Sequence, residues 1–227
     1  NIAKTSALFA GWPASVSGLT VHRFCSSSID AIALAALKVA AGQTEAIVAG
    51  GVEMMSRVPM LSDAARVFSD PAYAVRHQML LMGSGADLIA TRIGASREDC
   101  DAVALQSQQR AALAQQEGRF QSIIPIETPE GMISKDECIR ADMTAERLAR
   151  LTAAFAELGA AGADQVQLAK FPELSAIEHV HTMGNSPAMC DAGALVLLGD
   201  EALGKSLGMA PKARLVMSAT ASGEPLE

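Results

Sequence analysis

The sequence predicts an α/β protein, and three observations carry that prediction. A helix over 26–41 is apolar on nearly every side. Two runs, 45–49 and 191–198, have the continuous hydrophobicity of strands covered on both faces. Between them, from 56 to 180, the chain becomes more polar and richer in Gln, Met and charge. Helices alternating with covered strands imply a mainly parallel sheet with helix layers. The chain therefore divides into a core of residues 1–55 and 181–227, with 56–180 inserted between its two pieces.

The elements follow in order. Residues 1–10 read as a helix anchored by Ile2, Leu8 and Phe9 and ended by Gly11-Trp12-Pro13. Gly18–Phe24 reads as a short strand that delivers Cys25. The helix after it has Ser26, Ser27 and Ser28 to cap its start, Asp30 in its first turn, Lys38 in its last and Gly42 as its stop. Its alanines let neighbouring backbones come close. The strand Glu45–Ala49 leads to Gly50-Gly51. Arg57–Met82, with Pro59 and Pro71, shows no clear element. Leu88–Arg92 and Asp99–Gln116 read as helices, the second capped by Ser96 with Asp99 three residues on. Residues 123–127 and 131–133 form a hairpin across the turn at 128–131. Thr144 caps a helix Ala145–Leu158 that packs through Leu148, Leu151 and Phe155. Gly159–Gly162 is a loop, and 163–181 has no clear period. Glu201–Leu207 is a short helix, and Ala213–Thr220 reads as a last apolar strand.

Composition narrows the function. Half of the 227 residues are hydrophobic but only 4% are aromatic, so packing relies on Ala, Leu, Ile, Val and Met. A net charge of −7 argues against non-specific binding to nucleic acid or acidic membranes. An anionic ligand needs a local cationic patch instead. The four cysteines, Cys25, Cys100, Cys138 and Cys190, are dispersed with no C-x-x-C pair, which points to a reducing, cytoplasmic compartment. No apolar run reaches the ~20 residues of a membrane span.

The candidate chemistry centres on Cys25. At the positive end of a buried helix a thiolate is favoured, and the first-turn N–H groups can face an oxyanion. Strand, nucleophile, then helix is the order of a nucleophile elbow. The competing reading is a buried structural cysteine acting as a small hydrophobe. His22, three residues earlier, falls on the opposite strand face and is a poor base. His179 and His181 lie near Cys190 and Asp191, but without the paired spacing of a zinc site; no metal is expected.

VHRFCSSSIDAIALAALKVAAG followed by AIVAGGVEMMSRVPM resembles the acyl-cysteine region of thiolases, whose pattern is an N-R-F-C-x-S-G turn, an alanine-rich helix, then A-G-G-x-E-x-M-S. LMGSGADLIATRIGASREDCDAVALQSQQRAALAQQEGRF is similar to the thiolase loop domain. DECIRADMTAERLARLTAAF is similar to the part that meets the adenine end of coenzyme A, and TMGNSPAMCDAGALVLL to the A-G-N-S-S-x-x-x-D-G-A-A-A-V re-entry segment. The resemblance implies a thiolase-like layered fold, helix layers around a mainly parallel mixed sheet, with an inserted α-rich loop domain over the coenzyme A site. It implies that Cys25 attacks the keto carbon of a 3-ketoacyl-CoA and carries the acyl group as a thioester. It gives Arg140 to the adenine, Met82 to the acyl group, and Gly184 and Ser186 to the pantetheine arm. The competing readings are a solvated surface arginine, core packing and an ordinary turn. The implied partners are acyl-CoA and coenzyme A as substrates, with no resident cofactor, in a homodimer or homotetramer.

The family's late motifs, N-E-A-F, G-H-P-x-G with the histidine base and C-x-G-G-G with a second cysteine, are not among these residues, nor is its first strand. The resemblance therefore implies an incomplete chain. Ser28 stands where the pattern has Gly, a strain if the turn needs positive φ. Met54 replaces a small residue, Leu81 a histidine of some members, and Pro187 the second serine of Asn-Ser-Ser, removing an N–H. The stretch 162–181 is similar to the longer form in some bacterial degradative members. These departures keep open a catalytically silent, thiolase-like subunit acting as a scaffold or binding a partner. A ketosynthase-type condensing enzyme shares the strand–Cys–helix core but not the A-G-G-x-E-x-M-S pattern.

Overall fold

The computed structural model describes residues 1–223 and 226. Its helices are α1 (Ile2–Phe9), α2 (Ser27–Ala40), α3 (Arg66–Ser69), α4 (Pro71–Arg76), α5 (Met82–Ile93), α6 (Arg97–Gln116), α7 (Ala145–Ala149), α8 (Ala156–Leu158), α9 (Asp164–Lys170) and α10 (Glu201–Ser206); its strands are β1 (Ala46–Met54), β2 (Ile126–Thr128), β3 (Gly131–Ile133) and β4 (Asp191–Gly199). They gather into two compact units. The first holds Asn1–Pro59 and Cys190–Ser222; the second holds Met60–Met189.

In the first unit β1 and β4 pair antiparallel, from Ala46 opposite Gly199 to Met54 opposite Asp191. The expected mainly parallel sheet is thus not what these strands form. The chain leaves at the end of β1 and returns at the start of β4 directly beside it, so the two strands make a long-range hairpin, which is antiparallel by construction. Gly50 sits at a point of close approach: a Cβ there would lie 1.9 Å from the Ala194 carbonyl oxygen. Helix α2 lies on this sheet, with Ala35 and Ala49 buried between them.

Several expectations fail here for one reason. Apolar character makes a covered strand or helix only where a neighbour takes its backbone groups and side chains. The stretches 18–24 and 213–220, read as strands, form none among the described residues; an isolated bridge between Arg23 and Cys25 is all the pairing the first one has there. Helix α2, read as buried all round, hides one stripe; Ile29 and Leu37 are exposed. The runs 45–49 and 191–198, read as covered on both faces, leave Val48 and Leu195 exposed.

The second unit packs α5 against α9 and the segments around them, with Leu88, Phe171 and Ile177 as a small apolar core. The α6 capping box is present as expected, with Ser96 and Asp99 exchanging bonds. The β2–β3 hairpin falls where the sequence puts it. The helix expected over 145–158 is broken into α7 and α8. Arg97 explains the break: its guanidinium donates to the carbonyls of Leu148 and, at 3.0 Å, Leu151. Those carbonyls are then satisfied from outside and the helix need not continue. The Gly159–Gly162 stretch kinks at Gly162, whose φ of +129° is not helical, before the chain enters α9.

Much of this interior is polar. Ser84, Asp87, Asp101, Gln167 and Thr182 are buried. Gln167 donates to the Ser84 carbonyl at 2.7 Å. Asn185 donates from Nδ2 to Asp101 at 2.9 Å and to the Val180 carbonyl at 3.0 Å, while its Oδ1 accepts the Thr182 N–H at 2.7 Å. Buried polar groups joined this way fix one arrangement of the segments they tie.

Candidate active site

Cys25 is exposed and sits immediately before Ser26, the N-cap of α2. A tight turn presents it. The Ser26 N–H donates to the Arg23 carbonyl and the Ser27 N–H to the Phe24 carbonyl, each at 3.0 Å. The Ser27 hydroxyl accepts from the Arg23 N–H at 2.9 Å and donates to the Phe24 carbonyl at 2.6 Å. Arg23 forks onto Asp30, both bonds 2.5 Å, and holds that carboxyl below its ordinary range. The turn thus locks the entry to α2 from both sides. The Ser26 and Ser27 amides are used within the turn, so an oxyanion at this site would draw on the other amides of the first turn. Serine capping comes from Ser27 bridging the turn, since Ser26 makes no side-chain cap bond.

The backbone strain lies four residues before the position that the family pattern suggests. Phe24 has φ +47°, in the left-handed region that bulky residues avoid. Ser28 lies inside α2, so its Cβ costs nothing of the kind. Its hydroxyl instead fills the space left by Gly51, where a Cβ would come within 2.2 Å of it. His22 stacks edge-on against Phe24 with ring centroids 5.0 Å apart.

The second unit holds the remaining candidates. An open pocket of ≈ 380 Å³ lies between α6, the 136–139 segment and the turn at 184–188. Gly184 and Ser186 both line it, together with Gln108 and Ile139. Gly184 is required by close approach: a Cβ there would lie 2.4 Å from Leu151 and 2.5 Å from the fully buried Leu148. Arg140 is exposed beside the pocket, its N–H donating to Gln108 Oε1 at 2.7 Å. Gln108 was missed by sequence reasoning. It is 32 residues from Arg140 on a mostly polar helix, and only the fold brings the two together. Met82 starts α5 and is exposed, outside the pocket lining. Cys100 and Cys138 line the same pocket. Burial, reinforced by Asp101, Asp99 and Asp87, pushes the Cys100 thiol up, which makes it a poor nucleophile. His179 and His181 turn to Asp87 rather than toward Cys190.

The chain is thus an α/β protein with an exposed cysteine on a strained turn, at the start of a helix that packs on the Gly-Gly strand of a unit interrupted by a helical insertion. Residues 1–167 match the family described as thiolase, N-terminal domain, and the chain belongs to that family. It is 34% identical, over 99% of its length and 57% of the relative's, to 3-oxoadipyl-CoA/3-oxo-5,6-dehydrosuberyl-CoA thiolase of Escherichia coli K12. It is 33% identical, over 93% of its length and 52% of the relative's, to 3-ketoacyl-CoA thiolase of Bacillus subtilis 168. The crystal structure of human mitochondrial 3-ketoacyl-CoA thiolase in complex with CoA matches 92% of this chain and 51% of that one, with a TM-score of 0.73 at 25% identity. The α/β thiolase fold is therefore shown, and the chain spans about half the length of the relatives it matches.

Proposed function

We propose that this chain supplies the nucleophile and the coenzyme A-binding insertion of a thiolase that cleaves 3-ketoacyl-CoA with coenzyme A, or condenses two acyl-CoAs in reverse. The observation that carries the reading is the exposed Cys25 on its locked turn before α2. In cleavage its thiolate attacks the keto carbon and the bond to the α-carbon breaks. The acetyl-CoA carbanion takes a proton, and the acyl group stays as a thioester on Cys25. A second coenzyme A thiol then gives up its proton, replacing the one the carbanion took, and its sulfur attacks that thioester, releases acyl-CoA and returns the Cys25 thiolate. Sulfur serves as nucleophile and as leaving group, dividing one hard step into two.

In this reading residues 56–180 are the inserted loop domain. Arg140, held through its backbone by Gln108, meets the adenine or a phosphate. The Gly184–Ser186 turn faces the pantetheine arm and Met82 the acyl group. Coenzyme A is a substrate, and no resident cofactor is required. The acyl-CoA substrates named for the relatives support a place in acyl-CoA metabolism. A role in lipid or fatty acid metabolism, a cytoplasmic location and a homo-oligomer belong to the same proposal, and no described helix is long and apolar enough to cross a membrane.

The test is intact and peptide mass after brief exposure to acetyl-CoA. One acetyl group on Cys25, absent from Cys25→Ser, is the expected result. Acetylation spread over the other cysteines, or none on Cys25 in the presence of the complete protein, sinks the reading.

A further inference from the structure

The segment 178–182, which leads into the Gly184–Ser186 turn, is pinned by one buried carboxylate. Asp87 on α5 accepts at Oδ1 from the N–H groups of Val180 at 3.2 Å and His181 at 3.1 Å, and meets His181 Nδ1 at 2.6 Å. Its Oδ2 meets His179 Nδ1 at 2.9 Å. The other ring nitrogen of His179, Nε2, lies 3.2 Å from Asp164 Oδ2 on α9. A neutral imidazole has one N–H and one lone pair. Between two carboxylates the neutral ring would aim its lone pair at an oxygen; the imidazolium donates to both.

We infer that His179 is held as an imidazolium and works as a pH-sensitive clasp, joining α5 and α9 to the segment that carries the Gly184–Ser186 turn. An effect on ligand binding rests on the coenzyme A reading of that turn; the clasp itself does not.

The surroundings fit. Among the described residues Asp164 Oδ1 is buried with no hydrogen-bond partner, and His179 is the charge partner of this carboxylate's other oxygen. A Cβ on Gly159 would lie 2.6 Å from His179 Cε1 and 2.5 Å from Asp164 Oδ1, so the chain at Gly159 closes over the pair only without a side chain. The ionisable groups around the ring are Asp87 from α5, Asp164 from α9 and, sharing Asp87, His181. On α6, Cys100 feels Asp87, while Arg97 and Asp101 pair with each other at 2.8 Å. Glu178 is exposed, its N–H on Thr91 Oγ1. Asn185, bonded to Thr182, Val180 and Asp101, carries the hold onward to the turn.

Burial lowers the pKa of His179, but the bonds to Asp87 and Asp164 outweigh it and the net direction is up. The stabilisation is therefore complete below the ordinary histidine value, about 6.5. It is lost as pH rises through the raised native value.

The test is a ring-nitrogen NMR titration of the intact chain from about pH 5 to 9, with amide exchange over 180–185 corrected for intrinsic rate. We expect both His179 nitrogens to be protonated at neutral pH, with a midpoint above that of exposed His22. Corrected exchange should rise several-fold along the same curve. Asp164→Asn should lower the midpoint by about one unit or more. A neutral His179 ring at neutral pH overturns the proposal, and so does a titrating ring with flat exchange. The wild-type curves decide the matter if the variant fails to fold. No coenzyme A enters either readout, so a failure of the acyl-transfer reading leaves this result standing.

Discussion

Ser56 and Asp191, 135 residues apart in sequence, close the first unit where the insertion leaves and returns. The Ser56 N–H donates to Asp191 Oδ1 at 2.9 Å and the Ser56 hydroxyl donates to Oδ2. The two residues flank the end of β1 and the start of β4, where Met54 faces Asp191 across the ladder. The serine of the M-S motif and the aspartate of the D-A-G motif are thus two halves of one clamp.

The clamp should show in acid. The two bonds from Ser56 hold the Asp191 carboxyl below its ordinary range. Its contribution is present above the unfolded carboxylate value and is lost as pH falls through the depressed native one. Ser56→Ala and Asp191→Asn should each raise the pH at which the β1–β4 amides lose exchange protection. The double variant should lose no more than either single one. Additive losses would mean that the pair is not coupled.

Gly184→Ala tests the turn from the packing side. The new methyl meets Leu148, which is fully buried and cannot retreat. Overpacking of this kind costs ~1–3 kcal/mol. A urea titration should show that loss in the second unit. An unchanged midpoint would show that Leu148 and Leu151 can yield.

How much of this was legible beforehand depends on the range of the cause. The start of α2, the Ser96–Asp99 box and the β2–β3 turn are set by residues within a few positions, and sequence reasoning finds them. The break after Ala149 is not local: Arg97, about fifty residues away, supplies the donors that end α7. The positive φ of Phe24 has no sequence signal, because nothing in an aromatic side chain asks for that backbone. The direction of β4 could not be read from its apolar run, since hydrophobicity marks a strand without saying which neighbour it pairs with. The exposed Cys25 turn was legible because the cysteine, the cap and the helix are contiguous. Gln108 was not, because it reaches Arg140 only through the fold.

Arg97 itself gives the third prediction. It satisfies the Leu148 and Leu151 carbonyls and pairs with Asp101, which is 9% exposed. Removing one partner of a buried pair strands the other, though Asp101 keeps its bond from Asn185. Arg97→Ala should cost about 2–3 kcal/mol by chemical denaturation. Arg97→Lys should recover only part of it, because one ammonium cannot reproduce the fork. Full recovery with lysine would reduce the role of Arg97 to charge alone.

The two glycines of the Gly50-Gly51 pair should behave differently, and the contrast tests how the Cys25 turn is supported. At Gly50 the obstacle is backbone: a methyl would meet the Ala194 carbonyl at 1.9 Å, and relief requires opening the β1–β4 ladder. At Gly51 the obstacle is the Ser28 hydroxyl at 2.2 Å, which can rotate aside because the Ser28 Cβ is 3.5 Å away. Gly50→Ala should therefore cost ~3 kcal/mol or more, beyond ordinary overpacking, and should slow iodoacetamide labelling of Cys25 or scatter it onto other cysteines. Gly51→Ala should cost less than ~1 kcal/mol, and adding Ser28→Gly should not help, since glycine inside a helix costs ~1 kcal/mol by itself. Equal losses at the two positions would mean that α2 is held against β1 by the Ser28–Gly51 contact and not by the strand pairing. The placement of Cys25 would then depend on that single hydroxyl.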